Sequence, residues 1–286
     1  MISNYKKIDI KTKKLLWNLF LWNYKTAFKW RGLEFSDFRL YDTWDDSKRI
    51  DRLVSAREGK TLVRRYEEDR ELDILFVIDI SSSMSFWLWD KKKSDTLEEI
   101  FYLLWLSAIE WGSKIWAYII WWDRDIFLNF KKWKAHLINI FSNIENWILK
   151  WKKDDKENYI DLSWIMKQKP KNKLIFMMTD KLDIDYKNFK VLSYKNDLVY
   201  INIFDNFENT LSWYEWIYGF WKFAENLFID LSDEARIEEY KLLRKTKIDK
   251  LKERIYKYGA DYLYLDNKVN IFKKLLLFMK KRQTYS

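Results

Sequence analysis

The chain has 286 residues, with 53 Lys and Arg against 43 Asp and Glu, a net charge of +10, and no cysteine. That length buries a sizeable core, and the lack of cysteine excludes a disulfide framework and any thiolate metal site. Acids and bases alternate along the chain, so the charge reads as a solvated basic surface before it reads as a nucleic-acid face.

No uncharged apolar run approaches the ~18 residues of a membrane span. Residues 1–7 lack the apolar core of a signal peptide, so a soluble, cytoplasmic protein is expected. Residues 1–30 open with a basic amphipathic segment in which Ile8, Leu15, Leu16, Leu19 and Phe20 fall at helical spacing. A helix docked on the domain is the expectation. Alternation and charge over residues 29–41 predict extended strands. Asp45, Asp46, Arg49, Asp51 and Arg57 then crowd one short polar segment, expected to be an ion-paired turn. Residues 64–70 lead into Leu72-Asp73-Ile74-Leu75-Phe76-Val77-Ile78-Asp79, an apolar run bracketed by charge and hence a fully buried strand. It delivers Asp79, and directly after it Ser81, Ser82 and Ser83, to its C-terminal tip.

Ser94-Asp95 should cap a helix over residues 96–111, with Glu98 and Glu99 suiting its first turn. Residues 115–121 form a second apolar strand ending at Asp123. Residues 135–149 read as an amphipathic helix, with the lone His136 near its start facing solvent or packing. Pro170 ends a short helix over residues 161–169. Residues 173–180 repeat the opening device, a buried strand with Asp180 at its end. A helix at 186–194, strands at 198–204 and 228–230, a long helix at 233–258, a short strand at 262–265 and a basic helix at 268–282 complete the chain. Apolar strands alternating with helices predict an α/β fold whose mainly parallel sheet is covered on both faces. In such sheets ligands sit beyond the C-terminal strand ends, at a topological switch point. Parallel pairing would bring Asp79 and Asp180 to one edge.

Asp79, Ser81, Ser83 and Asp180 make an all-oxygen candidate site with no imidazole or thiolate. Such a set selects a hard cation, Mg²⁺ or Mn²⁺, over zinc.

The chain has 18 Trp and only 5 Gly, where the usual ~7% glycine would give about 20. Tryptophans stand where turn chemistry wants glycine, as in Thr43-Trp44-Asp45, Phe86-Trp87-Leu88-Trp89-Asp90 and Ile120-Trp121-Trp122-Asp123. This pattern fits a gene that uses UGA for glycine but is translated with UGA read as tryptophan.

Asp79-Ile80-Ser81-Ser82-Ser83-Met84 resembles the metal-ion-dependent adhesion site of von Willebrand factor A domains. More narrowly, the chain resembles the bacterial DUF58 family over roughly residues 15–282. The segments that carry this are Gly32-Leu33-Glu34-Phe35-Ser36-Asp37-Phe38-Arg39, then Asp45, Asp46, Arg49, Asp51 and Arg57, then Tyr66-Glu67-Glu68-Asp69-Arg70. The resemblance implies a Rossmann-like von Willebrand-type domain over residues 71–286, with residues 1–70 as an N-terminal segment packed on it. It implies a divalent cation held by Asp79, Ser81 and Ser83, with Asp180 as the later acid. It implies non-enzymatic work as a protein-interaction module with a MoxR-type AAA+ ATPase. The cation would take its last ligand from a partner's Asp or Glu. The family pattern has glycine where this chain has Trp22, Trp30, Trp44, Trp87 and Trp116. It also has tryptophan where this chain has Arg52, and the adhesion site's threonine aligns with Ile160, which offers no oxygen; Asp161 or Thr179 would have to compensate. Two other classes stay open: a Mg²⁺-dependent phosphoesterase or nuclease using the same acids, and a basic, aromatic-rich nucleic-acid binder using tryptophans as stacking platforms.

Overall fold

The computed structural model describes residues 33–68, 73–85, 92–110, 113–120, 126–130, 159–206, 208, 220–221, 228–229, 234–266 and 268–285. The amphipathic segment of residues 1–30, the helix at 135–149 with His136, and Trp22, Trp30 and Trp87 lie outside them.

The chain first forms a two-stranded unit. Strand β1 (Leu33–Leu40) pairs antiparallel with β2 (Leu62–Glu68), with an irregularity between Phe35 and Asp37. Between them lie a 3-10 turn (Ser47–Arg49) and helix α1 (Arg52–Glu58). The expected ion-paired turn is present: Arg39 pairs with Asp45, and Arg64 pairs with Asp51 at 2.6 Å. Asp51 also caps α1 by accepting from the amides of Leu53 and Val54. Gly59 ends the helix in the left-handed region at φ 65°, which glycine adopts without strain. Arg52 is exposed on α1, so the expected tryptophan position carries no packing here. Asp51→Ala should cost this unit about 1–2 kcal/mol, the usual loss for an N-cap. Faster amide exchange confined to α1 and β2 would show it.

The main domain is a six-stranded sheet. Its strands are β3 (Asp73–Asp79), β4 (Lys114–Ile120), β5 (Ile126–Phe130), β7 (Leu174–Thr179), β9 (Asp197–Phe204) and β12 (Asp261–Asp266). They lie in the order β12-β9-β7-β3-β4-β5, parallel except for β5, which pairs antiparallel with β4 at one edge. Two short ladders stand apart. Strand β6 (Tyr159–Ile160) pairs with β8 (Asp183–Ile184), and β10 (Phe220–Trp221) pairs with β11 (Phe228–Ile229).

Alternate residues of β3 feed two cores, as the two-residue period of a strand requires. Ile74, Phe76 and Ile78 pack beneath helix α2 (Lys93–Glu110) and helix α6 (Ile271–Tyr285) through Ile100, Phe101, Leu104, Leu275 and Met279. Leu75 and Val77 face helices α3 (Ser163–Lys167), α4 (Tyr186–Lys195) and α5 (Glu234–Lys257) through Ile165, Phe189, Leu192, Leu251 and Ile255. The expected α/β fold with a mainly parallel sheet covered on both faces is therefore observed. Among the described residues, no helix is long and apolar enough to cross a membrane.

Two boundaries differ from expectation. Strand β5 has half-buried side chains at Ile126, Phe127 and Leu128 and presents no continuous buried run, so periodicity passes over it. Helix α2 starts at Lys93, three residues early. Asp95 is therefore in its first turn rather than before it, and its carboxylate reaches back to the amide of Lys92 at 2.9 Å.

Candidate functional site

Counted along the chain within the main sheet, the strands lie in the order 6-5-4-1-2-3, the doubly wound order whose direction reverses between strands 1 and 4. Those two strands are β3 and β7. Asp79 is the last residue of β3, and Asp180 follows the last residue of β7. The four residues read from the sequence thus meet at the switch point.

Backbone geometry at the tip of β3 folds the serines back over Asp79. The amide of Ser81 donates to Asp79 Oδ1 at 2.9 Å, and a 3-10 turn over Ser82–Ser85 carries Ser83 inward. Ser81 Oγ and Ser83 Oγ lie 3.0 Å apart, and Ser83 Oγ donates to Asp180 Oδ1 at 2.9 Å. Ile78 stands beside Met178 in the β3–β7 register, so the next residues, Asp79 and Thr179, also meet. Thr179 Oγ1 donates to Asp79 Oδ2 at 2.6 Å and accepts from the amide of Lys181 at 3.0 Å.

Ile160, where the resemblance expects a threonine, is buried in the apolar core with Leu162, Ile165 and Ile184. Asp161 accepts from the amide and hydroxyl of Ser163. Of the two residues named to compensate, only Thr179 has its side chain on the cluster, where it bonds Asp79.

Sequence patterning misses the cations that line the same site. Lys93, at the start of α2 and only 1% exposed, donates to Asp180 Oδ2 at 2.6 Å and to Glu208 Oε1 at 2.8 Å. Glu208, just past β9, also accepts from Arg244 Nη2 of α5 at 2.8 Å. The guanidinium of Arg244 lies 4.9 Å from the Phe204 ring. Lys181 donates to Ser83 Oγ at 3.0 Å and stands 4.0 Å from Asp180 Oδ1. A buried polar lattice holds this corner from below: Tyr200 Oη and Asn202 Nδ2 both donate to the carbonyl of Lys181, and Tyr262 Oη donates to Asn202 Oδ1.

Three groups of the site are held away from neutral-pH titration. Burial would push Asp180 up, but Lys93 and Lys181, with hydrogen bonds from Lys93 and Ser83, outweigh it and hold the carboxyl at about 2. Burial would lower Lys93, but Asp180 and Glu208 outweigh it and raise the ammonium above the ordinary lysine range. Burial, with the charges of Tyr262, Asp79 and Asp180, pushes the Tyr200 hydroxyl well up.

Among the described residues no three His, Cys, Asp or Glu side chains are gathered for a metal ion. The candidate donors are two carboxylates and two hydroxyls. One pair of them, the hydroxyls of Ser81 and Ser83, lies 3.0 Å apart in a hydrogen bond, a spacing equal to the edge of an octahedron with bonds of about 2.0–2.1 Å, about 3 Å.

Strand order, switch point and oxygen cluster define the class of this molecule, a Rossmann-like α/β domain with a cluster of oxygens at its strand ends. The chain belongs to the DUF58 family: the family model, described as "Protein of unknown function DUF58", matches residues 37–216. Among solved structures it is similar to the crystal structure of conserved hypothetical protein BatB from Bacteroides thetaiotaomicron. That likeness has 11% sequence identity and a TM-score of 0.42, and covers 75% of this chain and 100% of the other. No curated protein matches the chain.

Proposed function

We propose that this protein is a non-catalytic interaction module of the von Willebrand factor A type. In this reading its strand-end oxygens hold Mg²⁺ or Mn²⁺ and capture an acidic side chain of a partner protein. The observation that carries the reading is the meeting of Asp79, Ser81, Ser83 and Asp180 at the switch point, with the two serine hydroxyls 3.0 Å apart. When bound, the cation would supply Lewis-acid attraction for a carboxylate oxygen entering from outside. Ser81 and Ser83 would face the ion directly, since both are half-exposed at the strand ends. Asp79 is buried and accepts from Ser81 and Thr179, so it orients the loop and supplies negative charge behind it. The family resemblance supports a MoxR-type AAA+ ATPase as the partner.

Acid–base catalysis works best with groups titrating near the working pH. Here Asp180 is driven down while Lys93 and Tyr200 are driven up, so these groups keep one protonation state near neutrality. That favours a binding role over a hydrolase. The test is pull-down of the purified ATPase in Mg²⁺ and in EDTA with the full chain and with Asp79→Ala. Capture that depends on Mg²⁺ and vanishes in the folded variant is the expected result. Capture unchanged by EDTA and by Asp79→Ala would reject the mechanism, and Mg²⁺-dependent hydrolysis of a generic phosphoester would replace it.

A further inference from the structure

We infer that Lys181 is the resident cation of this site and sets its affinity for the metal: a divalent ion binds only when the Lys181 ammonium leaves the Ser83 hydroxyl. The inference rests on the cation-binding reading above and deepens it.

Contacts among the described residues join six charges at this corner. Asp180 and Glu208 face Lys93, Lys181 and Arg244, and Asp79 is joined through the Thr179 hydroxyl, which accepts from the Lys181 amide. Taken by themselves, these six charges sum to zero. A divalent cation entering beside both lysines would leave the joined set with two surplus positive charges in a largely buried place, where unpaired charge is costly. The two lysines differ in what they can do. Lys93 is fully buried and bonded to two carboxylates. Withdrawing it would take a hydrogen-bonded ammonium from both acids at once, leaving Glu208 with Arg244 and Asp180 with the more distant Lys181. Lys181 is also buried, but its ammonium bonds a neutral hydroxyl and stands 4.0 Å from Asp180, so it holds no carboxylate at hydrogen-bond distance. Its four-carbon stem is flexible. Its backbone stays pinned meanwhile, by Thr179 at the amide and by Tyr200 and Asn202 at the carbonyl. The side chain can therefore leave without moving Asp180.

The hydroxyl that Lys181 occupies is one of the two that fit the cation, so lysine and metal compete for the same oxygen. Once Lys181 has left and a divalent ion has entered, the joined set carries one surplus positive charge. A partner's single carboxylate cancels it. The site then has two balanced states, one closed by its own lysine and one closed by metal with the partner's acid. It follows that metal and partner bind cooperatively, each raising the other's affinity.

The experiment titrates Mn²⁺ into the full chain and follows the free-ion electron paramagnetic resonance signal. The proteins are wild type, Lys181→Met, Lys181→Gln, Lys181→Arg and the double variant Asp79→Ala with Lys181→Met, each checked for a cooperative melt. The expected result is at least tenfold tighter one-to-one binding for Lys181→Met or Lys181→Gln than for wild type, wild-type weakness in Lys181→Arg, and loss in the double variant. Equal affinity in wild type and both neutral variants, lost in the double variant, overturns the role of Lys181 and leaves the metal reading standing. Absence of saturable binding in every variant overturns both.

Discussion

Replacing Lys93 with methionine should destabilise the domain by about 3–5 kcal/mol, the usual cost of removing one partner from a buried ion pair. The variant leaves Asp180 and Glu208 facing each other with no ammonium between them, at a position with 1% exposure. Glu208→Gln should cost less, because Lys93 then keeps Asp180 and its hydrogen-bonding environment. Urea denaturation of the three proteins orders them, and a Lys93→Met loss below 1 kcal/mol would show that the network is not stabilising. The pH dependence has a definite sign. Asp180 is depressed from its ordinary 3.8 to about 2, so its contribution is present above pH ~4 and is lost as pH falls through about 2. Lys93 is raised above its ordinary 10.5, so its contribution is full below that value and is lost only as pH rises beyond it. Between about pH 4 and 10 the pair contributes a constant amount. In Lys93→Met the Asp180 carboxyl loses its strongest counter-charge, and the onset of acid unfolding should move upward in pH.

The parts of this molecule that could be read from residues alone were those in which burial and chemistry follow one period. Strand β3 is such a case: six of its seven residues are fully buried, and the apolar run shows it. Asp79 and Asp180 could be placed together because strand ends of a parallel sheet share an edge. Elsewhere the pattern was silent for physical reasons. Helix α1 has no buried residue, so it carries no apolar stripe to reveal it. Lys93 closes the run Lys91-Lys92-Lys93, which in sequence looks like any solvated charge cluster; its burial follows from where α2 begins. Arg244 sits in a strongly charged helix, and the one local clue is its i−4 neighbour Tyr240, which is also buried. The strand-then-acid device recurs after β9, but the acid it falls on is buried Asp205, and Glu208 stands three residues further on. Thr179 is one of two compensating residues the sequence offers; its bond to Asp79 follows from the β3–β7 register, which two separate strands do not disclose.

The natural protein should carry glycine at positions 44, 87 and 116, and peptide mapping of the protein from its own cells should show it. The structure sharpens the case where it describes these residues. Trp44 stands in the turn after β1 with 93% of its surface exposed, so its indole stabilises nothing by burial. Trp116, in the middle of β4, stacks on Phe127 at 5.8 Å, yet its buried indole N–H finds no acceptor among the described residues. An unmet buried donor costs about 1–3 kcal/mol, which is unusual for a residue chosen by its fold. Trp87 and Trp89 follow the 3-10 turn that carries Ser83 almost at once. Glycine at these positions would have more backbone freedom than tryptophan. Trp44→Gly should change stability by less than about 0.5 kcal/mol, as surface substitutions do, and a denaturant melt checks it. UGG codons at these positions, or tryptophan in the mapped peptides, would overturn recoding and restore the aromatic surface as a stacking platform. Glycine in the peptides would remove the tryptophans on which the nucleic-acid reading depends, and leave the oxygen cluster at the ends of β3 and β7 as the basis of the proposed partner recognition.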